Sequence, residues 1–202
     1  MLFVGVDEAG RGCLSGPVFA AAVLLPASFS VPKGVVIRDS KKMSAAQRER
    51  SRAFIEENAV AWGVGYADVE CIDSINILRA TQKAMHHALD SLIEHLPDSD
   101  VSNVHLYIDG DRFRDYTCLS TTIPHTCVVR GDATVPSIAA ASILAKTHRD
   151  EYVLQKMHSL HPEYGWDKNK GYGTARHIAA IREHGAREGM HRLSFAPCRS
   201  AD

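Results

Sequence analysis

Five short apolar segments alternate along this chain with longer segments in which apolar residues recur at helical spacing. The predicted strands occupy residues 2–7, 17–25, 61–67, 104–108 and 123–129. The first two are close enough in sequence to form a hairpin, and helical segments separate or follow the later ones. This order predicts an α/β fold in which a mixed β-sheet is flanked by helices.

The predicted helices occupy residues 44–58, 137–160 and 174–184, with two more between residues 68 and 96 that break near Asp73 and Ser74. Ser44 is a typical N-cap, and Pro136 suits the first turn of the long helix. Residues 165–173 are predicted as a loop. A chain of 202 residues suits one domain. We expect an α/β core over residues 1–160 and a C-terminal helical region over residues 161–202, with loosely defined limits.

Cysteine usage and hydropathy indicate a protein of a reducing compartment. The five cysteines are odd in number and include no Cys-x-x-Cys pair, so neither a disulfide framework nor a zinc site is predicted. The first residues lack the basic region of a signal peptide, and no apolar run approaches the roughly 18 residues that span a bilayer. We therefore expect a cytoplasmic protein without a membrane segment.

The net charge of −1 conceals an uneven distribution of charged side chains. Residues 1–145 carry four more acidic than basic side chains, whereas residues 146–202 carry three more basic than acidic ones. A carboxylate site beside a cationic surface would have this pattern and could attract a polyanion. Chance scatter of solvated charge explains the same distribution, so composition alone leaves both interpretations open.

Four acidic residues follow predicted strands near the points where those strands end. Asp7 and Glu8 come after the first strand, Asp109 after the fourth and Asp132 shortly after the fifth. Functional groups collect at strand ends in open α/β sheets, and clustered carboxylates need cations to offset their repulsion. Oxygen ligands of this kind favour two Mg²⁺ or Mn²⁺ ions, which suit phosphodiester hydrolysis. Each acid alone could instead cap a turn.

The segment that carries the first two acids reads Val4-Gly-Val-Asp-Glu-Ala-Gly-Arg-Gly12 and continues through Leu14-Ser-Gly-Pro-Val18. These residues resemble the signature of the ribonuclease HII family. Later segments match further blocks of that family in the same order: Asp39-Ser-Lys-Lys42, Ile108-Asp-Gly110, Gly131-Asp132, Ala139-Ala-Ala-Ser-Ile-Leu-Ala-Lys146, Arg149-Asp150, Lys170-Gly-Tyr172 and His191-Arg-Leu-Ser-Phe195. The resemblance extends from about residue 3 to residue 198.

The resemblance implies a ribonuclease H-like fold with a C-terminal helical region that binds substrate. It also implies an endonuclease that cuts the RNA strand of RNA–DNA hybrids, or cuts 5′ to a single ribonucleotide in duplex DNA, and leaves 5′-phosphates. In such an enzyme Asp7, Glu8, Asp109 and Asp132 hold two Mg²⁺ or Mn²⁺ ions. We expect a monomer whose partner is the nucleic acid; the sequence indicates no protein partner.

The resemblance also implies how substrate is recognised. The turn Gly10-Arg11-Gly12 would grip the scissile ribonucleotide and sense its 2′-hydroxyl, and Tyr172 would stack on the sugar beside the RNA–DNA junction. Candidates for phosphate contacts are Lys41 or Lys42, Lys146, Arg149 and Lys170. Any one of these could instead be a solvated side chain, and Lys146 could pair with Asp150 four residues later on a helix.

One segment departs from the family pattern, and three alternatives remain open. Residues 133–135 lack the basic residue that many members carry after Asp132, which puts one phosphate contact in doubt. The alternatives are a ribonuclease HIII-like enzyme, a non-catalytic module that binds hybrids, and a metal-dependent phosphatase acting on small molecules. The intact acids argue against the second alternative. The third would leave Gly10-Arg11-Gly12 and Lys170-Gly-Tyr172 unexplained.

Overall fold

Residues 1–199 are described by a computed structural model in which seven strands and seven α-helices follow one another. The strands are β1 (Leu2–Ala9), β2 (Val18–Leu24), β3 (Ala61–Ala67), β4 (Val104–Asp109), β5 (Tyr116–Cys118), β6 (Thr121–Ile123) and β7 (His125–Val128). The helices are α1 (Ala45–Asn58), α2 (Val69–Ile75), α3 (Ile77–Ile93), α4 (Asp98–Val101), α5 (Pro136–Tyr152), α6 (Trp166–Asn169) and α7 (Ala175–His184).

Five strands form one mixed sheet in the order β3-β2-β1-β4-β7. β2 is antiparallel to both of its neighbours, β3 and β1, whereas β1, β4 and β7 run parallel. The short strands β5 and β6 form a separate antiparallel hairpin. The predicted fold class, a mixed sheet with an N-terminal hairpin and flanking helices, is therefore confirmed.

Two helices cover opposite faces of the sheet, and glycines let both of them come close. α3 packs on β3 and β2, while α5 packs on β1 and β2. A Cβ atom at Gly5 of β1 would overlap the backbone of Ser137 in α5, and one at Gly65 of β3 would overlap the backbone of Ala88 in α3. Only residues without a side chain fit at these crossings.

The predicted helices are confirmed at α1 and α7, and the two helices predicted between residues 68 and 96 are confirmed as α2 and α3 with a shifted break. Ser44 caps α1 and Thr174 caps α7 through their side-chain oxygens. The break between α2 and α3 lies at Asn76 rather than near Asp73 and Ser74. Asn76 has a φ of 70° and its side chain accepts from the N–H of Arg79, so one asparagine both ends α2 and caps α3.

Three other local predictions were wrong in part. The predicted strand over residues 123–129 is divided at Pro124, because proline has no N–H to donate to a ladder; β6 ends before it and β7 begins after it. The predicted helix over residues 137–160 is α-helical only to Tyr152 and continues as a π-helical segment, Val153–His158. The predicted loop over residues 165–173 contains α6.

The C-terminal helices share a small core with the π-helical segment that continues α5 and with Leu14, which lies in the loop after β1. Its buried members are Leu14, Val153, Met157, Tyr164, Trp166, Ala180, Ile181 and Cys198. This packing attaches the C-terminal region to the segment that follows the first acidic pair. The last three residues of the predicted region, 200–202, lie outside the described residues. No helix within residues 1–199 is long and apolar enough to cross a bilayer.

Candidate active site

Asp7 and Asp109 lie at the same level of two neighbouring parallel strands. Asp109 is the last residue of β4, whereas Asp7 lies within β1, which continues beyond its predicted end to Ala9. β1 and β4 pair through Val6 and Ile108, the residues just before these two acids. Asp7 is 4% exposed. Burial raises the pKa of Asp7 well above its ordinary value, and repulsion from Glu8 and Asp109 raises this pKa further. The structure therefore brings together acids that the sequence places a hundred residues apart.

Asp132 joins the cluster through Asp109. One carboxylate oxygen of Asp109 accepts hydrogen bonds from the N–H of Gly131 at 2.7 Å and the N–H of Asp132 at 3.4 Å. Burial raises the pKa of Asp132, and so does repulsion from Asp39 and Asp109. Asp39 is thus a fifth acid beside the cluster. The sequence analysis gave it no role, although it lies in a block that resembles the family.

Cations lie close to two of the acids. Nη1 of Arg11 is 3.2 Å from Oε1 of Glu8, yet burial still raises the pKa of Glu8. The ammonium of Lys41 opposes the rise in the pKa of Glu8 and of Asp132, whereas Lys42 pairs with Asp39 at 3.6 Å. Of the two lysines left open by the sequence, Lys41 is therefore the one that faces the acids.

The donor set of this cluster fits a hard divalent cation. Its candidate ligands are all carboxylates, and burial together with mutual repulsion raises the pKa of Asp7, Glu8 and Asp132. A bound cation would relieve that repulsion, and carboxylate oxygens are the ligands that Mg²⁺ and Mn²⁺ prefer. Within residues 1–199, no group of three or more His, Cys, Asp or Glu side chains lies close enough together to hold one ion in this arrangement.

The predicted recognition elements lie next to one another. Cys13 and Tyr172 form an isolated antiparallel bridge, so the turn Gly10-Arg11-Gly12 and the loop around Tyr172 are neighbours. Tyr172 is 39% exposed, and Nζ of Lys146 lies 5.4 Å from the centroid of its ring. Lys146 also pairs with Asp150 at 2.7 Å, which confirms the ion pair that the spacing indicated.

A groove of about 610 Å³ runs between α1, α5 and the loop that carries Lys170 and Tyr172. Lys146, Lys170 and Tyr172 all line it. The ammonium of Lys170 donates to the carbonyl of Asp167, and burial lowers its pKa. Three of the predicted substrate contacts therefore share one concave surface.

Arg149 does not fit its predicted phosphate contact. It is fully buried, and its guanidinium donates to the carbonyl oxygens of Ser15 and Pro17 at 3.0 Å and of Lys170 at 2.8 Å. Arg192, to which the sequence analysis assigned no role, is buried in the same region. Its place in the block His191-Arg-Leu-Ser-Phe195 was the available signal.

Comparison with known proteins places the chain among nucleases. The sequence model of the family described as Ribonuclease HII matches residues 4–198. Ribonuclease HII of Bacteroides thetaiotaomicron is 50% identical over 195 residues, which cover 96% of this chain and 90% of that protein. Ribonuclease HII of Porphyromonas gingivalis is 49% identical over 198 residues, with 98% and 90% covered.

Solved structures share the fold at lower identity. Ribonuclease H2 from Pyrococcus horikoshii OT3 superposes with a TM-score of 0.73 at 22% identity, covering 98% of this chain and 96% of that one. Bst-RNase HIII in complex with Mn²⁺ has a TM-score of 0.71 at 21% identity, covering 98% of this chain and 68% of that one. The sheet and its flanking helices are therefore those of a ribonuclease H-like fold.

Proposed function

This chain belongs to the ribonuclease HII family, whose members are ribonuclease H endonucleases, and from that premise we propose which bond it cuts. The proposed substrates are RNA–DNA hybrids and duplex DNA that contains a single ribonucleotide. Cleavage 5′ to the ribonucleotide would leave a 3′-hydroxyl upstream and a 5′-phosphate on the ribonucleotide.

The observation that supports this proposal is the position of Asp7, on β1, beside Asp109, the last residue of the neighbouring parallel strand β4. We assign Asp7, Glu8, Asp109 and Asp132 as ligands of two Mg²⁺ or Mn²⁺ ions. Such ions, when bound, supply an activated water and stabilise the leaving 3′-oxygen. The chain's own part is to hold the carboxylates in place: the N–H of Glu8 donates to Asp7 at 2.7 Å, and Asp109 anchors the turn that carries Asp132.

Recognition of the ribonucleotide is assigned to the turn Gly10-Arg11-Gly12 and to Tyr172. The 2′-hydroxyl is the group that distinguishes RNA from DNA at a given position, and a backbone turn without bulky side chains can approach it closely. The exposed ring of Tyr172 offers a surface on which a sugar or base can stack. Lys41, Lys146 and Lys170 are proposed phosphate contacts, which set register without reading sequence.

The domain organisation follows from the same assignment. We propose one ribonuclease H-type domain in which residues 1–160, with an approximate upper limit, carry the metal ligands and the remaining C-terminal region binds substrate. We also propose that the enzyme acts as a monomer in the cytoplasm. All five cysteines are unpaired, which fits a reducing compartment.

The alternatives raised by the sequence are less well supported. Relatives with about half of their residues identical to this chain are ribonuclease HII proteins, whereas the likeness to ribonuclease HIII is one of fold at 21% identity. A module without catalytic activity would not need the buried, mutually repelling acids. A small-molecule phosphatase would leave the recognition turn and Tyr172 without a role.

Cleavage of a labelled DNA duplex that contains one ribonucleotide tests the proposal. The reaction is run with Mg²⁺, with Mn²⁺ and with chelator, and an all-DNA duplex of the same sequence is the control. We expect a metal-dependent cut on the 5′ side of the ribonucleotide and none in the control. Cleavage of a long hybrid without cleavage at the single ribonucleotide would contradict the recognition assigned to Gly10-Arg11-Gly12.

A further inference from the structure

Arg192 lies fully buried beneath the recognition turn and bonds to its carbonyl oxygens. Its Nη2 donates to Gly10 and to Gly16, each at 2.8 Å, and its Nη1 donates to Arg11 at 2.9 Å. Its Nε donates to Gly16 at 3.0 Å. One planar guanidinium therefore holds both ends of the loop that follows β1.

Arg149 connects the same loop to the loop that carries Tyr172. It donates to Ser15 and Pro17 on one side and to Lys170 on the other. A Cβ atom at Gly10 would overlap the Arg149 guanidinium, so the turn rests directly on this side chain. The two recognition elements are thus fastened together through one buried arginine.

Neither cation has an acidic partner in the part of the chain that the structure describes. Within residues 1–199, no Asp or Glu oxygen lies within 4.0 Å of the guanidinium of Arg149 or Arg192. Burial lowers the pKa of Arg192 to about 10, which leaves it charged at neutral pH. A buried cation without a counter-ion is costly, and here backbone carbonyls compensate that cost, together with the ring of Phe195, whose centroid lies 5.3 Å from Cζ of Arg192.

The contacts of Arg192 orient the N–H groups of the turn. In a trans peptide the C=O and N–H bonds point in opposite directions. Because the carbonyls of Gly10 and Arg11 are drawn inward, the N–H groups of Arg11 and Gly12 are turned outward. Neither N–H finds an acceptor within residues 1–199, and both residues are exposed. The turn therefore presents two free donors at the surface next to Tyr172.

We propose that Arg192 and Arg149 are positioning residues that determine the preference for a ribonucleotide. Arg192 aims the N–H groups of Arg11 and Gly12 at the 2′-hydroxyl, and Arg149 fixes the distance between this turn and Tyr172. This inference rests on the proposed function. A lysine at either position keeps the charge but replaces a fork of five donors with a single ammonium, which cannot reach carbonyls on several sides.

Equilibrium binding in the presence of chelator tests the proposal without cleavage. The dissociation constants of a duplex with one ribonucleotide and of an all-DNA duplex are measured for the wild type, Arg192→Lys and Arg149→Lys. We expect each substitution to reduce the ribonucleotide preference by about tenfold, the worth of one or two hydrogen bonds. Affinity for the all-DNA duplex should change by less than about threefold, because phosphate contacts are unaffected.

Leu89→Ala serves as the matched control, since it removes a fully buried side chain of α3 from a core cluster separate from the one that contains Leu14 and the C-terminal helices. It should lower stability and keep the preference, which separates positioning from loss of folded protein. Circular dichroism at the assay temperature shows whether each variant is folded. If Arg192→Lys is unfolded, the binding preference of Arg149→Lys tests the proposal by itself. A preference retained in the folded variants would overturn this inference only. A wild type without any preference would overturn the proposed recognition itself.

Discussion

His177 and His191 face each other in the C-terminal region with their Nε2 atoms 3.2 Å apart. Nε1 of Trp166 donates to Nε2 of His177 at 3.1 Å, and Nδ1 of His177 donates to the carbonyl of Tyr172 at 2.9 Å. Nδ1 of His191 accepts from the N–H of Arg187 at 2.9 Å. These partners assign both rings as neutral, with the proton on Nδ1 of His177 and on Nε2 of His191.

The histidine pair predicts a loss of stability in acid. Burial lowers the pKa of His177, and lowers that of His191 to about 4. The unfolded chain protonates His191 below about pH 6.5, whereas the folded chain does so only near pH 4, so stability falls as pH falls between these values. His177 contributes in the same direction, because its pKa is also lowered by folding. Above pH 6.5 both states are neutral and this contribution does not change.

The free energy of unfolding of His191→Gln should fall by about 3 kcal/mol less than that of the wild type when the pH is lowered to 4. The measurement is the free energy of unfolding from urea titrations between pH 7.5 and pH 4, compared with the wild type. The control is His95→Gln, which changes an exposed side chain and is measured in the same titrations. A profile for His191→Gln as steep as that of the wild type would contradict the buried neutral pair.

Asp7→Asn should abolish cleavage while binding of the hybrid survives. The substitution removes a buried carboxyl group whose pKa is raised by burial and by repulsion from Glu8 and Asp109. Ionisation of this group at neutral pH destabilises the folded state, so its removal should raise the melting temperature in metal-free buffer. Cleavage, hybrid binding and thermal melts are compared with Asp98→Asn, an exposed acid outside the site. Retained cleavage would rule out the metal assignment.

Divalent ions should raise the melting temperature of the wild type. A ligand that binds only the folded state stabilises it by RT ln(1 + [L]/Kd), which is about 2.7 kcal/mol at a hundredfold excess over Kd. We expect Mg²⁺ and Mn²⁺ to produce this shift and Asp7→Asn to lose most of it. Equal shifts in both proteins would place the bound ions elsewhere on the molecule.

Tyr172 should act through its ring and not through its hydroxyl. Tyr172→Ala removes the surface that stacks on the sugar, and we expect kcat/KM on a single-ribonucleotide duplex to fall by about 10- to 100-fold. Tyr172→Phe keeps the ring and its contact with Lys146, so its kcat/KM should stay within about threefold. Steady-state kinetics on one labelled duplex distinguish the two; an equal loss in both would assign the role to the hydroxyl.

Gly5→Ala should destabilise the fold strongly, because the new methyl group would overlap the backbone of Ser137 where α5 crosses β1. Moving a helix off the sheet should cost about 3 kcal/mol or more. Gly12→Ala is the contrast: no atom lies within 4 Å of its new methyl group, so stability should change by less than about 0.5 kcal/mol. Urea unfolding of both variants checks this difference.

Most elements of the fold and the four acids of the candidate site could be predicted from the sequence. Strands are visible in apolar runs and helix starts in residues such as Ser44, because both depend on hydrogen bonds and burial within a few residues. Asp7 and Asp109 were identifiable because each follows such a run, and parallel strands bring their ends to one edge. The resemblance to the ribonuclease HII family added the chemistry, and the family match confirmed the membership.

The burial and the hydrogen-bond partners of Arg149 and Arg192 became visible only in the folded structure. An arginine near acids and lysines is ordinarily an exposed side chain, and nothing local indicated that these two are buried. Arg192 bonds to Gly10 across 182 residues of sequence, and Arg149 bonds to Ser15 across 134. A guanidinium takes its partners from whatever backbone folds around it, so its function depends on contacts that exist only once the chain has packed.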